Sequence, residues 1–132
     1  MSRRVLLLIN RSKPEVAKAL DEVRRLIERN GAGGVGTTSR IVAEVDADST
    51  ALSRDVAKEA DLVVVLGGDG TLMAQSRRCV AAGLDLPLLG VNFGKLGFMA
   101  EFDLDSLRLQ ADRLFNGSPL VVKERPVLRV TV

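Results

Sequence analysis

The sequence predicts an α/β domain in which a parallel sheet carries helices on both faces. The main support is a fourfold alternation of short apolar runs with helical stretches, which is the pattern of parallel α/β proteins. Residues 118–132 break this alternation. We therefore expect residues 1–117 to form the α/β domain, and residues 118–132 to begin a β-rich second domain whose remainder is absent.

The first strand and helix are marked by the periodicity of their side chains. Residues 5–9 are an uninterrupted apolar run, which is typical of a strand buried on both faces. Pro14 suits the first position of a helix, and apolar residues then recur at spacings of three and four as far as Ile27. Asn30 followed by Gly31 is a favourable helix end. These features predict a buried strand followed by an amphipathic helix.

Two further strands are predicted in the middle of the domain, at residues 41–45 and 62–66. Between them, Ser49 or Thr50 is placed to cap a shorter helix that ends near Ala60. The third strand stops at a pair of glycines, and helical composition follows it directly.

The last α/β repeat follows the same order. The helix after the third strand is predicted to end near Ala82, and residues 87–91 are predicted to form the fourth strand. Asp103 or Asp105 then caps a helix that stops at Asn116.

The final segment has the pattern of a half-buried antiparallel strand. Leu128, Val130 and Val132 alternate with polar residues, which places the apolar side chains on one face. Such a strand leaves open backbone groups unless another strand pairs with it. This is why we expect a second, β-rich domain to begin here.

Composition restricts the classes of function. The chain has 132 residues, of which 46% are hydrophobic and 27% charged, as is typical of one globular domain. Its net charge is only +2, it has no Trp or Tyr, and it has four Phe, so it lacks the stacking platforms of a nucleic-acid binder. The absence of histidine excludes Ser-His and Cys-His triads and His-ligated metals.

Cysteine usage and the N-terminus bear on the compartment. Cys79 has no partner for an internal disulfide, and it lies in an apolar run, so a buried structural thiol is predicted. The apolar run at residues 5–9 is too short for a signal peptide or a membrane span. We therefore expect a cytoplasmic protein with no membrane partner.

The most informative motif is GGDGT at residues 67–71, which follows an apolar strand and opens a helix. This order places a ligand at the carboxyl end of the strand, facing a helix N-terminus. Asp69 would repel phosphates, so a carboxylate here indicates a residue that holds a metal ion or accepts a proton from a substrate hydroxyl. Gly68 and Gly70 allow a ligand to approach the backbone closely. The motif favours phosphoryl transfer; the alternative is an ordinary turn in which Asp69 caps the helix.

A second loop, at residues 92–99, also leaves the carboxyl end of a strand and is expected at the same edge of the sheet. Phe93 and Phe98 are half of the aromatic residues, and they are either core side chains or a contact for a flat ring such as adenine. Lys95 is placed either near phosphates or as a solvated loop lysine.

These two motifs together resemble the NAD kinase family, in which GGDGTLMAQSR is matched by a GGDGT loop with a helix arginine, and NFGKLGFM by an LGF loop. The resemblance covers essentially the whole chain and implies a Rossmann-like N-terminal domain. It implies transfer of a phosphoryl group from ATP or inorganic polyphosphate to the 2′-hydroxyl of the adenosine ribose of NAD, which yields NADP. It also implies a divalent metal, most readily Mg²⁺, and a homo-oligomer.

The resemblance also implies roles for individual residues. Asp69 corresponds to the catalytic carboxylate that activates the 2′-hydroxyl, and among the side chains it is the one that would reach the metal, through water. Leu72 would line the pocket and Phe98 would lie beside an adenine. The nucleotide- and phosphate-binding positions implied are Gly67, Gly68, Gly70, Thr71, Leu72, Arg77, Asn92, Lys95, Gly97 and Phe98.

The family has an NAD-binding second half with an Asn-Glu or Asn-Asp pair and a glycine-rich Thr-Gly-Ser segment, and neither occurs in these 132 residues. We therefore expect the chain to be inactive by itself. Two alternatives stay open. One is a lipid or sugar kinase of the same superfamily, although a lipid kinase would have Asn-Glu in place of Leu72 and Met73. The other is a non-catalytic nucleotide-binding module that pairs through its last strand.

Overall fold

The computed structural model of the chain describes residues 4–29, 39–46, 59–81, 86–93 and 102–115. These residues form four strands and three helices in alternating order. The elements are β1 (Arg4–Ile9), α1 (Pro14–Arg29), β2 (Arg40–Asp46), β3 (Leu62–Gly67), α2 (Asp69–Ala81), β4 (Leu88–Asn92) and α3 (Leu104–Phe115).

The four strands form one parallel sheet in the order β2-β1-β3-β4, which confirms the predicted fold class. β1 lies inside the sheet, since it pairs with β2 on one side and with β3 on the other. The pairing with β2 shifts register between Val5 and Leu6, whereas the pairing with β3 is regular from Val5 to Ile9. The chain therefore adds β2 on one side of β1, and β3 and β4 on the other.

Apolar clusters cover both faces of the sheet. Leu7 lies in the cluster that contains Val16 of α1 and Leu107 of α3, whereas Leu8 lies in the opposite cluster with Leu72 of α2. All residues of β1 after the first are fully buried, and each buried aliphatic side chain stabilises the fold by roughly 1.5–3 kcal/mol. The predicted placement of helices on both faces is confirmed.

The helix starts follow the predicted signals. Pro14 is the first residue of α1, and the carbonyl of Lys13 accepts hydrogen bonds from the backbone N–H groups of the first turn. At α3, Asp103 is the cap, because its Oδ1 accepts a hydrogen bond of 2.7 Å from the backbone N–H of Ser106. This bond, with a second from the Ser106 side chain, lowers the pKa of Asp103. Of the two acids proposed for this position, Asp103 is therefore the one that caps the helix.

β4 occupies residues 88–92, one residue later than the predicted 87–91. Pro87 has no N–H to donate to a neighbouring strand, although its carbonyl accepts a hydrogen bond of 3.0 Å from the Val63 N–H. The strand therefore starts at Leu88 and continues as far as Asn92, which brings Asn92 into the sheet.

Cys79 is 2% exposed, and burial raises the pKa of its thiol, which confirms the prediction of a buried structural cysteine. Nearly all of the short helix predicted before Ala60, and the whole of residues 116–132, lie outside the described residues. In the ranges that the structure does describe, no helix has the length and apolar content needed to cross a membrane.

Candidate functional site

The sheet places the ends of β1 and β3 at the point where the strand order reverses. The connection from β1 leads to β2 on one side, and β3 lies on the other side of β1. In open parallel sheets the loops that leave the carboxyl ends of two such strands diverge and form a crevice, where ligands bind. Asn10 follows β1 and Gly68 follows β3, so both residues lie at this edge.

The connection from β3 to α2 is a single residue. β3 extends to Gly67, one residue past the predicted end, and α2 begins at Asp69. The carbonyl of Gly68 accepts a hydrogen bond of 2.9 Å from the Leu72 N–H, so Gly68 is the backbone N-cap of α2. Most of GGDGT is therefore the first turn of a helix and only Gly68 is a loop residue.

Asp69 occupies the first helical position, and its side chain lies outside what the structure describes. An acid at this position lies where the helix dipole favours negative charge. The first N–H groups of an α-helix have no intrahelical acceptor, so the N-terminus of α2 presents donors at the crevice. The backbone of the GGDGT motif therefore has the geometry expected of an anion site.

Two positions of the motif are occupied by glycine for different structural reasons. A Cβ on Gly67 would lie 2.6 Å from Thr71 Oγ1 and 2.7 Å from Thr71 Cβ, so only glycine leaves room for the Thr71 side chain. A Cβ on Gly70 would meet no atom of the described residues within 4 Å. The space beside Gly70 is therefore open to a ligand, whereas glycine at position 67 is required by the packing of the fold itself.

Asn10 connects the loop after β1 to the end of β3 and to the first turn of α2. Its backbone N–H donates to the Leu66 carbonyl at 3.0 Å, and its Nδ2 donates to Thr71 Oγ1 at 3.1 Å. Its Oδ1 accepts hydrogen bonds from the backbone N–H and the hydroxyl of Ser12. The side chain thus holds Thr71 and the first turn of α2 against the end of β1.

The end of β4 is attached to the end of β3. The Phe93 N–H donates to the Gly67 carbonyl at 2.7 Å, and the Asn92 N–H donates to the Phe102 carbonyl at 2.8 Å. Asn92 is a buried polar residue, and Phe93 packs against the cluster that contains Leu7. Phe93 is therefore a core side chain, which was one of its two predicted placements.

Two polar side chains approach Gly68. A Cβ on this residue would lie 3.6 Å from Lys13 Nζ and 3.7 Å from Asn92 Oδ1. Lys13 comes from the loop before α1 and Asn92 from the end of β4, so the two side chains reach Gly68 from opposite sides in the strand order. The structure therefore brings together Gly67, Gly68, Thr71 and Asn92, all implied by the sequence motifs, with Asn10 and Lys13, which were not.

The remaining predicted residues are placed as follows. Leu72 is buried among the side chains of the cluster that contains Leu8, so packing accounts for its burial. Arg77 is exposed on α2, about 12 Å along the helix axis from Asp69. Lys95, Gly97 and Phe98 lie outside the described residues.

No group of three His, Cys, Asp or Glu side chains that could hold a metal ion occurs within the described ranges. Mg²⁺ commonly binds through substrate phosphates with only one or two carboxylates, and such a mode does not require a protein cluster.

Asn10 and Lys13 were missed because the segment NRSK carries no recognised motif. A usable signal was nevertheless present. Asn10 directly follows a buried parallel strand, as Asn92 does, and polar residues at this position lie at the ligand edge of the sheet. The argument that places Asn92 at this edge, applied to the end of β1, would also have identified Asn10.

Comparison with known proteins gives consistent matches. Residues 31–118 match the family model described as ATP-NAD kinase N-terminal domain. The chain is 32% identical to the NAD kinase of Natranaerobius thermophilus over 131 residues, 98% of this chain and 44% of that protein. It is 38% identical to the NAD kinase of Geobacter sp. strain M21 over 120 residues, 87% of this chain and 41% of that protein. It is 34% identical to the NAD kinase of Corynebacterium diphtheriae over 143 residues, 98% of this chain and 42% of that protein. The chain thus spans less than half the length of these relatives.

Proposed function

The chain belongs to the NAD kinase family, and from this membership we propose that the full-length gene product phosphorylates NAD to NADP. The phosphoryl donor is ATP or inorganic polyphosphate, and the acceptor is the 2′-hydroxyl of the adenosine ribose. One observation carries the proposal beyond family membership: β3, the single residue Gly68 and the N-terminus of α2 lie at the point where the strand order reverses.

In the proposed reaction the 2′-hydroxyl oxygen attacks the terminal phosphorus of the donor. A new P–O bond forms as the bond to the bridging oxygen breaks, and ADP or a shortened polyphosphate leaves. The Asp69 carboxylate accepts the hydroxyl proton and so acts as the general base, the role that a catalytic Asp has in phosphoryl transfer to an alcohol. The position of its backbone at the start of α2 supports this assignment, because the same helix end attracts the phosphates.

The other groups at the crevice have proposed supporting roles. The N–H groups of Gly70 and Thr71 donate to phosphate oxygens, and Asn92 borders the same space. When bound, Mg²⁺ neutralises part of the charge on the transferring phosphates. We propose that Lys95 and Gly97 contact the phosphates, that Phe98 lies beside an adenine, and that Arg77 of α2 contributes to nucleotide or phosphate binding.

Relatives that carry the name NAD kinase are more than twice as long as the aligned part of this chain. We propose that residues 1–117 supply the catalytic carboxylate and part of the phosphate site. Residues 118–132 begin a β-rich unit, and residues 1–132 alone turn over little. We further propose that the protein acts in the cytoplasm as a homo-oligomer.

The test is NADP formation from NAD and Mg-ATP or Mg-polyphosphate by the full-length gene product and by its Asp69→Asn variant. This change is nearly isosteric but removes the proton acceptor, so activity should fall by several orders of magnitude while the melting temperature is preserved. Leu109→Gln, on the exposed face of α3, is a matched control and should retain full activity.

Two results would contradict the proposal. Near-normal turnover by Asp69→Asn would remove the role given to Asp69. A folded full-length protein without NADP synthesis would favour another phosphoryl acceptor, such as a lipid or sugar, or a non-catalytic nucleotide-binding module.

A further inference from the structure

Lys13 is held in position by its own backbone. Its N–H donates to the Asn10 carbonyl at 3.3 Å, and its carbonyl accepts from the Val16 N–H at 3.1 Å and the Ala17 N–H at 3.3 Å. These bonds make Lys13 the last residue before α1 and fix the point from which its side chain extends. The flexible part of this residue is therefore limited to the side chain itself.

The ammonium group of Lys13 reaches across the sheet edge to the connection between β3 and α2. Its Nζ lies 3.6 Å from the position of a Cβ on Gly68. Because Gly68 has no side chain, it leaves open the space between the Lys13 ammonium and the N-terminus of α2.

Lys13 is half-buried, and within the described ranges its ammonium makes no ion pair and no hydrogen bond. Arg11, two residues earlier, is more exposed and yet pairs with Asp46 at 2.6 Å and with Glu44 at 3.9 Å. A lysine ammonium and a helix N-terminus both favour an anion in the space between them. The arrangement is therefore typical of a cation whose partner arrives with a ligand.

We propose that Lys13 binds a phosphate oxygen of the nucleotide at the GGDGT turn. The proposal rests on the proposed function, because it concerns the ligand of the same crevice. Lys13 thereby adds the first α/β repeat to the binding site, and its ammonium offsets the negative charge that Asp69 brings near the phosphates. The ligand class is a linear phosphate chain, either the triphosphate of the donor or the diphosphate of NAD.

The test compares Lys13→Met with the matched control Lys18→Met in the full-length gene product. Lys18 is an exposed lysine on α1, one turn further along. Binding of tripolyphosphate, which has no nucleoside, and of NAD is measured by titration calorimetry, together with the melting temperature. Lys13→Met should weaken binding of one of the two ligands by roughly tenfold, the loss expected for one charged hydrogen bond. Lys18→Met should bind both as the wild type does.

The ligand that loses affinity identifies which phosphate chain Lys13 contacts. Lys13→Arg retains the charge and should recover most of the lost affinity, which a merely structural role would not require. Wild-type affinity of Lys13→Met for both ligands would overturn the proposal. Equal losses in Lys13→Met and Lys18→Met would also overturn it, since only net charge would then matter.

The two proposals can fail separately. If the wild type makes no NADP but tripolyphosphate binding depends on Lys13, the proposed function fails while the phosphate contact stands. If the wild type makes NADP and Lys13→Met leaves the KM for NAD and for the donor unchanged, the phosphate contact fails while the proposed function stands.

Discussion

The side chain of Thr71 occupies the space that a side chain on Gly67 would need. A Cβ on Gly67 would lie within 2.8 Å of three Thr71 atoms, Oγ1, Cβ and Cγ2. Because Gly67 ends β3 and Thr71 lies in the first turn of α2, this contact sets how closely the helix follows the strand. The first glycine of GGDGT is thus required for packing before any ligand is considered.

We predict that Gly67→Ala destabilises the protein by about 1–3 kcal/mol, the usual cost of overpacking, because the strand end or the helix must shift. Urea unfolding measures this loss. Gly70→Ala is the matched change: the added methyl has open space, and alanine is favoured over glycine in helices by about 0.5–1 kcal/mol. A Gly67→Ala variant as stable as the wild type would contradict the described contact.

The effect of Gly70→Ala on activity should be opposite to its effect on stability. Gly70→Ala should keep or raise stability and lower NADP synthesis, because its methyl would occupy space proposed for the phosphates. Steady-state kinetics on the full-length gene product measure this effect. Full activity of Gly70→Ala would mean that no ligand approaches the backbone at this glycine.

The Asn10–Thr71 hydrogen bond links the loop after β1 to the first turn of α2, and the two residues are 61 positions apart in sequence. We predict a coupling free energy of about 0.5–1.5 kcal/mol between Asn10→Ala and Thr71→Val in a double-mutant cycle of urea unfolding. Valine keeps the shape of threonine, so the cycle isolates the hydrogen bond from the packing on Gly67. Additive effects of the two changes would show that this bond contributes no stability.

Capping by Asp103 should make the stability of the protein depend on acid pH. The folded state has a lowered pKa at Asp103, so this stabilisation is fully present above the unfolded value of about 3.8 and is lost as pH falls through the folded value. Asp103→Ala should lower the melting temperature by a few degrees at neutral pH. Asp103→Asn retains a capping oxygen and should lose less, with a weaker pH dependence below pH 4. Identical acid titrations of the wild type and Asp103→Asn would refute this.

Cys79 should affect stability at alkaline pH. Burial raises its pKa above the ordinary value of 9.0, so the thiol stabilises the fold fully below the unfolded pKa, and this contribution is lost as pH rises through the folded value. The melting temperature of Cys79→Ala should therefore fall less than that of the wild type between pH 8 and pH 11. A thiol reagent should modify Cys79 much more slowly in the native protein than in urea. Equal rates in the two states would contradict burial.

The elements of the fold could be predicted where one physical signal dominates. Residues 5–9 are uniformly apolar because β1 is buried on both faces, and α1 begins at Pro14 because proline needs no N–H partner at the first helical position. The predicted start of β4 was one residue too early. Pro87 is compatible with a strand end by composition, but it has no N–H to donate to a neighbouring strand.

The site was predictable only in part, because its contacts depend on strand order. GGDGT and Asn92 could be recognised from local sequence, but nothing local indicates that β1 lies between β2 and β3. The proximity of Lys13 to Gly68 follows from that order alone. The packing requirement at Gly67 was likewise not predicted, because the crowding atoms belong to Thr71, which approaches only once the helix has formed against the strand end.

The position of β1 between β2 and β3 has a consequence for how the protein folds. The partners of β1 are distant in sequence, since Arg4 pairs with Arg40 and Val5 pairs with Leu62. Loop closure of this length must precede the burial of β1, which slows folding and makes it cooperative. The crevice between the ends of β1 and β3 can form only when this pairing is complete. Amide exchange at Asn10 should therefore report unfolding of the whole sheet, and a nascent chain would acquire the edge proposed to bind the nucleotide only after β3 had been synthesised.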